Sequence, residues 1–150
     1  INMVHVDDTG IYLSGLRTQA LLHINRDNEV TEVCNLPAGT HNPRPFNNGV
    51  LFNDTASDCV RWVPRNEQQR AFKIKTYDPD EIRFAGVDDS KVARQGFGRG
   101  LCVVNERLIA GGSSPSTISL YDLQTGETVA SVNLTMDIRN AIHGLEVWPY

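Results

Sequence analysis

The stretch HNPRPFNNGVLFND, residues 41–54, decides how this chain is read. It opens on polar residues, passes through Asn47-Asn48-Gly49, and continues as an apolar run that closes on Asn53 and Asp54. Asn-Gly accepts the positive backbone dihedrals of a tight turn, so residues 42–46 and 49–53 are expected as two arms of a hairpin. The phrase recurs. Residues 2–10 (NMVHVDDTG) lead into IYLSG, and residues 98–106 (GRGLCVVNE) lead into RLIAGG. Each time a polar residue opens a short strand, a turn follows, and a second strand ends in small or polar residues. The frame begins once more at Ile142-His143-Gly144, which makes this a repeat architecture.

Working outward, the first unit is expected to carry strands at 2–6, 11–15, 19–25 and 29–35, the second at 42–46, 49–53, 58–63 and 70–75. The third unit follows a less regular stretch, 77–96, with strands at 99–104, 107–111, 117–122 and 128–134, and a further strand is expected at 144–148. The turns at Gly10 and Gly49 lie about forty residues apart, the length of a four-stranded propeller blade. Residues 66–72 are the best helix candidate and are short. The expected fold is therefore all-β: a partial β-propeller in one domain, 1–150, with blade segments 1–36, 40–76 and 97–135 and the start of another at 142–150. A β-sandwich shares the many short strands, but the aligned phrase favours the propeller. Three blades and one strand do not close a ring, because the end sheets would keep open edges and half-covered apolar faces. Three completions are open: missing blades from the same precursor, a second copy, or another subunit.

With 21% charged and 40% hydrophobic residues the 150-residue chain has the balance of a globular domain. Its net charge of −4 gives no general attraction for nucleic acid or anionic lipid, so neither nucleic acid nor membrane is expected as a partner. The visible N-terminus lacks the basic and apolar regions of a signal peptide, which points to a cytoplasmic setting. Cys34, Cys59 and Cys102 are widely spaced among apolar residues and read as buried thiols rather than metal ligands.

The motifs also carry a resemblance. Ile1-Asn2-Met3-Val4 resembles a Leu-Asn-Asp-Val phrase, and Thr40-His41-Asn42-Pro43-Arg44 resembles a His-Ser-Pro-Arg phrase, of an uncharacterised six-bladed propeller family, a domain of unknown function sometimes found with tetratricopeptide repeats. Gly96-Phe97-Gly98-Arg99-Gly100-Leu101, Tyr121-Asp122-Leu123-Gln124-Thr125-Gly126 and Ile142-His143-Gly144-Leu145-Glu146-Val147 resemble later blocks of it. The resemblance implies the later part of a six-bladed ring and brings no activity with it. Met3 stands where the family has an Asp.

The first strand of each propeller blade borders the central channel. The aligned positions Asn2, His41, Arg99 and His143 are accordingly expected to approach one another. Arg44 and Arg99 suit bidentate binding of a carboxylate, sulfate or phosphate. His41 and His143 are the candidate proton donors or acceptors, and Asn2 and Asn42 are candidate ligand-orienting amides. The competing reading is structural, with the asparagines and His41 capping backbone groups and the arginines tying blades together.

No cofactor is expected. Calcium needs several oxygens, and Asn2, Asn53 and Asp54 would have to work beside Arg99 and His143. His5, His41 and His143 lack the compact spacing of a zinc or iron motif. Ser57-Asp58-Cys59 is mere adjacency rather than a triad, and His23, in an apolar strand, reads as structural. Trp148 is expected in the core or between blades. Functionally the chain reads as a propeller binding or scaffold module with a polar pocket for a small anionic ligand or a protein partner. The alternative is a hydrolase or lyase on a small polar or anionic metabolite, using His41 or His143 with Arg44 and Arg99.

Overall fold

The structure is a computed structural model that describes residue 1 and residues 3–15, 17–86 and 94–148. The expectation placed on Asn2 lies outside the described residues. The protein is all-β, and its described residues form twelve strands in three four-stranded antiparallel sheets, each a meander in chain order. The first sheet holds β1 (Met3–Asp7), β2 (Gly10–Ser14), β3 (Ala20–Asn25) and β4 (Val30–Asn35). The second holds β5 (Thr40–Phe46), β6 (Gly49–Asp54), β7 (Cys59–Pro64) and β8 (Arg70–Lys73). The third holds β9 (Gly100–Val103), β10 (Leu108–Ser113), β11 (Thr117–Asp122) and β12 (Glu127–Asn133). β1 and β2 lie against β5, and β6 lies against β9, so the leading edges of the sheets adjoin as blades do around an axis. The helix candidate at 66–72 is not formed. Its second half is β8, because Phe72 pairs with Val60 and buries its ring in the core.

The hairpin of residues 41–54 forms with one change of roles. Asn47 and Asn48, at φ 43° and 54°, are the left-handed turn residues, while Gly49 already belongs to β6 opposite Phe46. Gly49 serves a close approach instead: a Cβ there would stand 2.4 Å from the Val63 carbonyl oxygen on β7. Gly10 repeats this in the first sheet, where a Cβ would meet the Ile24 carbonyl oxygen of β3 at 2.1 Å. The recurring glycine thus marks contact between second and third strands.

The two seams between sheets are filled differently. Between the second and third, Leu51, Val60, Trp62 and Phe72 pack on Leu101, Ile109, Tyr121 and Leu123. The Phe72 and Tyr121 rings lie 5.2 Å apart, and the Trp62 indole N–H donates to the Phe46 carbonyl at 3.2 Å. Each large side chain buried here contributes about 1.5–3 kcal/mol. Between the first and second, the buried apolar cluster among the described residues is smaller: Met3, Leu21, Leu36 and Phe52. The first sheet turns polar groups to this seam. Tyr12 stacks on His23 at 4.5 Å, and Thr9 Oγ1 lies 3.0 Å from the Tyr12 hydroxyl and 3.2 Å from His23 Nε2. His23 is thus held within the first sheet by Tyr12 and Thr9.

Residues 141–148 run without strand pairing, so the strand expected at 144–148 is not formed. A strand needs a neighbour's ladder, and the backbone bonds that tie this segment to the third sheet are made by Ile142, ahead of the expected strand. Gly100 N–H donates to the Ile142 carbonyl at 2.7 Å, and Ile142 N–H to the Ser113 carbonyl at 3.3 Å, with the Ile142 side chain above Gly112. Trp148 follows this segment outward and is 78% exposed, outside the core of this chain; its expected place between blades concerns a neighbour beyond these three sheets.

Candidate functional site

A bulge in β5 shapes the site. His41 pairs with Asn53 and Arg44 with Leu51, so two residues, Asn42 and Pro43, face one residue of β6. Asn42 takes φ 52° to make the bend. In a regular strand residues three apart point to opposite faces. The extra residue puts His41 and Arg44 on the same face, toward the third sheet.

His41 Nδ1 lies 2.9 Å from both the Gly39 carbonyl and Thr55 Oγ1, and the Thr55 hydroxyl donates to the Gly98 carbonyl at 2.9 Å. The imidazole meets the edge of Phe97 at 5.8 Å between centroids. Phe97 is buried and presents its ring to two guanidinium groups, Arg99 at 4.6 Å and Arg94 at 5.3 Å. Arg94 is anchored on the Asp58 carboxylate and the Thr55 carbonyl, both at 2.5 Å. Arg99 has no such carboxylate among the described residues. Its Nη1 lies 3.5 Å from His143 Nδ1, and its Nε is buried without a hydrogen-bond partner among the described residues.

The electrostatics follow this geometry. Burial pushes His41 below the usual histidine range, the Arg99 guanidinium pushes the same way, and the bond to the Gly39 carbonyl opposes both. Burial and then Arg99 lower His143 as well. Burial also lowers Arg99, which stays cationic at neutral pH because an arginine starts far above it. Two neutral imidazoles and one guanidinium with no carboxylate partner therefore share one face.

Three residues further along the same segments stands a second group. Arg44 donates through Nη2 to the Leu101 carbonyl at 2.9 Å, and its Nε is likewise buried without a partner among the described residues. Burial lowers Arg44 and the field of Glu146 opposes that shift, although no carboxylate stands within ion-pair distance of Arg44 among the described residues. His5 is lowered by burial and by Arg44 and raised by Asp7 and Glu146. The thiol of Cys102 is pushed up by burial and by Glu146.

The expected residues thus separate. His41, Arg99 and His143 come together, whereas Arg44 joins His5, Cys102 and Glu146. Asn42 acts in the frame: its amide N–H₂ donates to the Arg99 carbonyl, which Asn53 Nδ2 also reaches at 3.1 Å. Sequence reasoning missed Phe97, Thr55 and Arg94 as supports and Glu146 as a counter-charge. Phe97 stood one residue ahead of the aligned third phrase, inside the Gly96–Leu101 block that carries the resemblance, so a signal was present there. Nothing in the spacing marked Arg94.

Among the described residues no three His, Cys, Asp or Glu side chains gather as a metal ion would require. Asp54, counted among calcium oxygens, is taken by Arg61 at 2.6 Å.

No family model matches the chain, and no curated protein matches it. Among solved structures, it is similar to a catalytically inactive variant of virginiamycin B lyase from Staphylococcus aureus in a crystal structure with quinupristin. The identity is 16%, the TM-score 0.40, and the match covers 80% of this chain and 40% of that one. The chain thus spans less than half the length of that protein. The assignment of blades rests on the three sheets themselves.

Proposed function

We propose that this chain contributes three blades to a propeller, of six in the family it resembles, and that the module binds a small anion at His41, Arg99 and His143. The observation that carries the reading is the Arg99 guanidinium, partly buried on the Phe97 ring with Nε unpartnered and no carboxylate paired with it among the described residues. A buried cation in that condition lacks the anion that would repay its desolvation. A carboxylate, sulfate or phosphate fits the guanidinium fork, with the imidazoles alongside as further hydrogen-bonding groups. The remaining blades come from the same precursor, a second copy or another subunit, which would cover the open faces of the first and third sheets.

A second reading is favoured by the lowered histidines. A neutral imidazole beside a cation is the arrangement of a general base acting on a bound anion, as a lyase or hydrolase would use it. His41 is the better placed, held at Nδ1 by Gly39 and Thr55.

Titration with inorganic phosphate, followed by NMR of the histidine rings, tests the binding reading. Signals of His41 and His143 should shift saturably while those of His5 and His23 stay in place. Equal shifts at all four rings, or none, would reject the site. For the catalytic reading, turnover of an anionic metabolite must be lost in a folded His41→Gln variant.

A further inference from the structure

The seam between the first and second sheets holds a cavity of about 1140 Å³ that is separate from His41, Arg99 and His143. Protein interiors are close-packed, and the neighbouring seam of this same chain shows that these blades can fill the space between them. The open seam is therefore a local feature of its side chains. Ligand sites are commonly cavities of about 300–1,000 Å³, mostly apolar, with few polar groups. This one has Val33 on β4 as one wall, Val50, Phe52 and Val63 as the other, and aromatic faces from Tyr12 and Phe46.

Its edge carries two carboxylates, Asp7 and Asp54, and two guanidinium groups, Arg61 and Arg65, which differ in how they are engaged. Asp54 and Arg61 neutralise one another at 2.6 Å. Asp7 is engaged by the Thr9 hydroxyl at 2.6 Å and the Thr9 amide at 2.8 Å. Arg65 lines the same cavity, and among the described residues no carboxylate pairs with it. Its backbone N–H is committed to the Asn48 carbonyl at 3.1 Å.

We propose that this inter-blade cavity is a second binding site, taking an elongated, largely aromatic molecule with one acidic group, the ring system between Val33 and Val63 and the acid on Arg65. Flat rings pack on the aromatic and valine walls, and a guanidinium pairs a sulfonate or carboxylate. The site shares no residue with the anion site proposed above, so either can fail alone.

The test uses two probes, the aryl sulfonate anilinonaphthalene sulfonate and its uncharged analogue phenylnaphthylamine, in titration calorimetry on the full chain. The sulfonate should bind saturably at one site per chain and more tightly than the neutral probe. Val33→Trp and Val63→Trp, which fill the cavity from opposite walls, should each weaken it about tenfold or more without lowering Tm. Arg65→Gln should bring the sulfonate down to the affinity of the neutral probe, and Arg99→Gln should change nothing. Sulfonate binding that survives both filling variants, equal affinity for the two probes, or no saturable binding would overturn the proposal. If one filling variant unfolds the chain, the other decides.

Discussion

Two guanidinium groups, Arg44 on β5 and Arg99 just ahead of β9, come from neighbouring sheets, and they differ in one respect. Arg44 lies in the field of Glu146, whereas Arg99 lies beside two imidazoles, and neither guanidinium has a carboxylate within ion-pair distance among the described residues. Both lose water to burial, and both keep a buried Nε without a partner. The difference teaches that burial of a cation does not by itself make a site. A guanidinium whose charge is offset by an internal carboxylate's field serves the frame, and one whose charge is left over is available to a ligand.

The largest expected effect removes the frame common to both groups. Trp62→Ala, at the packed seam, should cost about 3–5 kcal/mol in denaturant unfolding. Phosphate binding should then be lost only where the fold is lost. A stable Trp62→Ala variant would mean that this seam does not hold the two sheets in register.

Acidification sharpens the comparison. His41 and His143 are held below their unfolded values, so the unfolded chain takes up protons first and stability falls with pH. Their contribution is complete above about pH 6.5 and is lost as pH drops through the lowered folded values. Protonated imidazoles beside Arg99 also attract anions. Thermal melts on a falling pH series should show Tm decreasing, with added phosphate restoring more of it at low pH than at neutral pH. A phosphate benefit that shrinks on acidification would contradict the assignment of both histidines to the anion site.

Smaller effects come from the supports. Asn42→Ala removes an amide that holds the Arg99 carbonyl and should cost about 1 kcal/mol in equilibrium unfolding. Phosphate affinity should fall only modestly, because Asn53 still reaches that carbonyl. The least effect is expected for Glu146→Gln. It removes the carboxylate's field from Arg44, and calorimetry should reveal a weak second phosphate site absent from the parent chain. An unchanged single site would show that counter-charge is not what separates the two groups.

Much of the fold was legible because its signals are local. Strand positions followed from alternation and turn residues, and Asn47-Asn48-Gly49 announced its hairpin, although the asparagines and not the glycine make the turn. The convergence of His41, Arg99 and His143 followed from aligning equivalent positions of a repeat. The separation of Arg44 from them was not legible. The bulge at Asn42 brings Arg44 to the same face as His41, yet its register sets Arg44 opposite Leu51, two positions along β6 from the Asn53 that faces His41. Residues 144–148 read as a strand because their own pattern is strand-like, yet pairing is decided by a neighbour. Trp148 shows the same limit: its size predicted burial, and its segment carries it outward.

The most direct test compares phosphate affinity of the parent chain, Arg99→Gln and Arg44→Gln by titration calorimetry, with equal Tm as the control for folding. The account predicts that Arg99→Gln weakens phosphate about tenfold or more while Arg44→Gln stays within about threefold of the parent. Equal losses in the two variants, or a greater loss at Arg44, would contradict it.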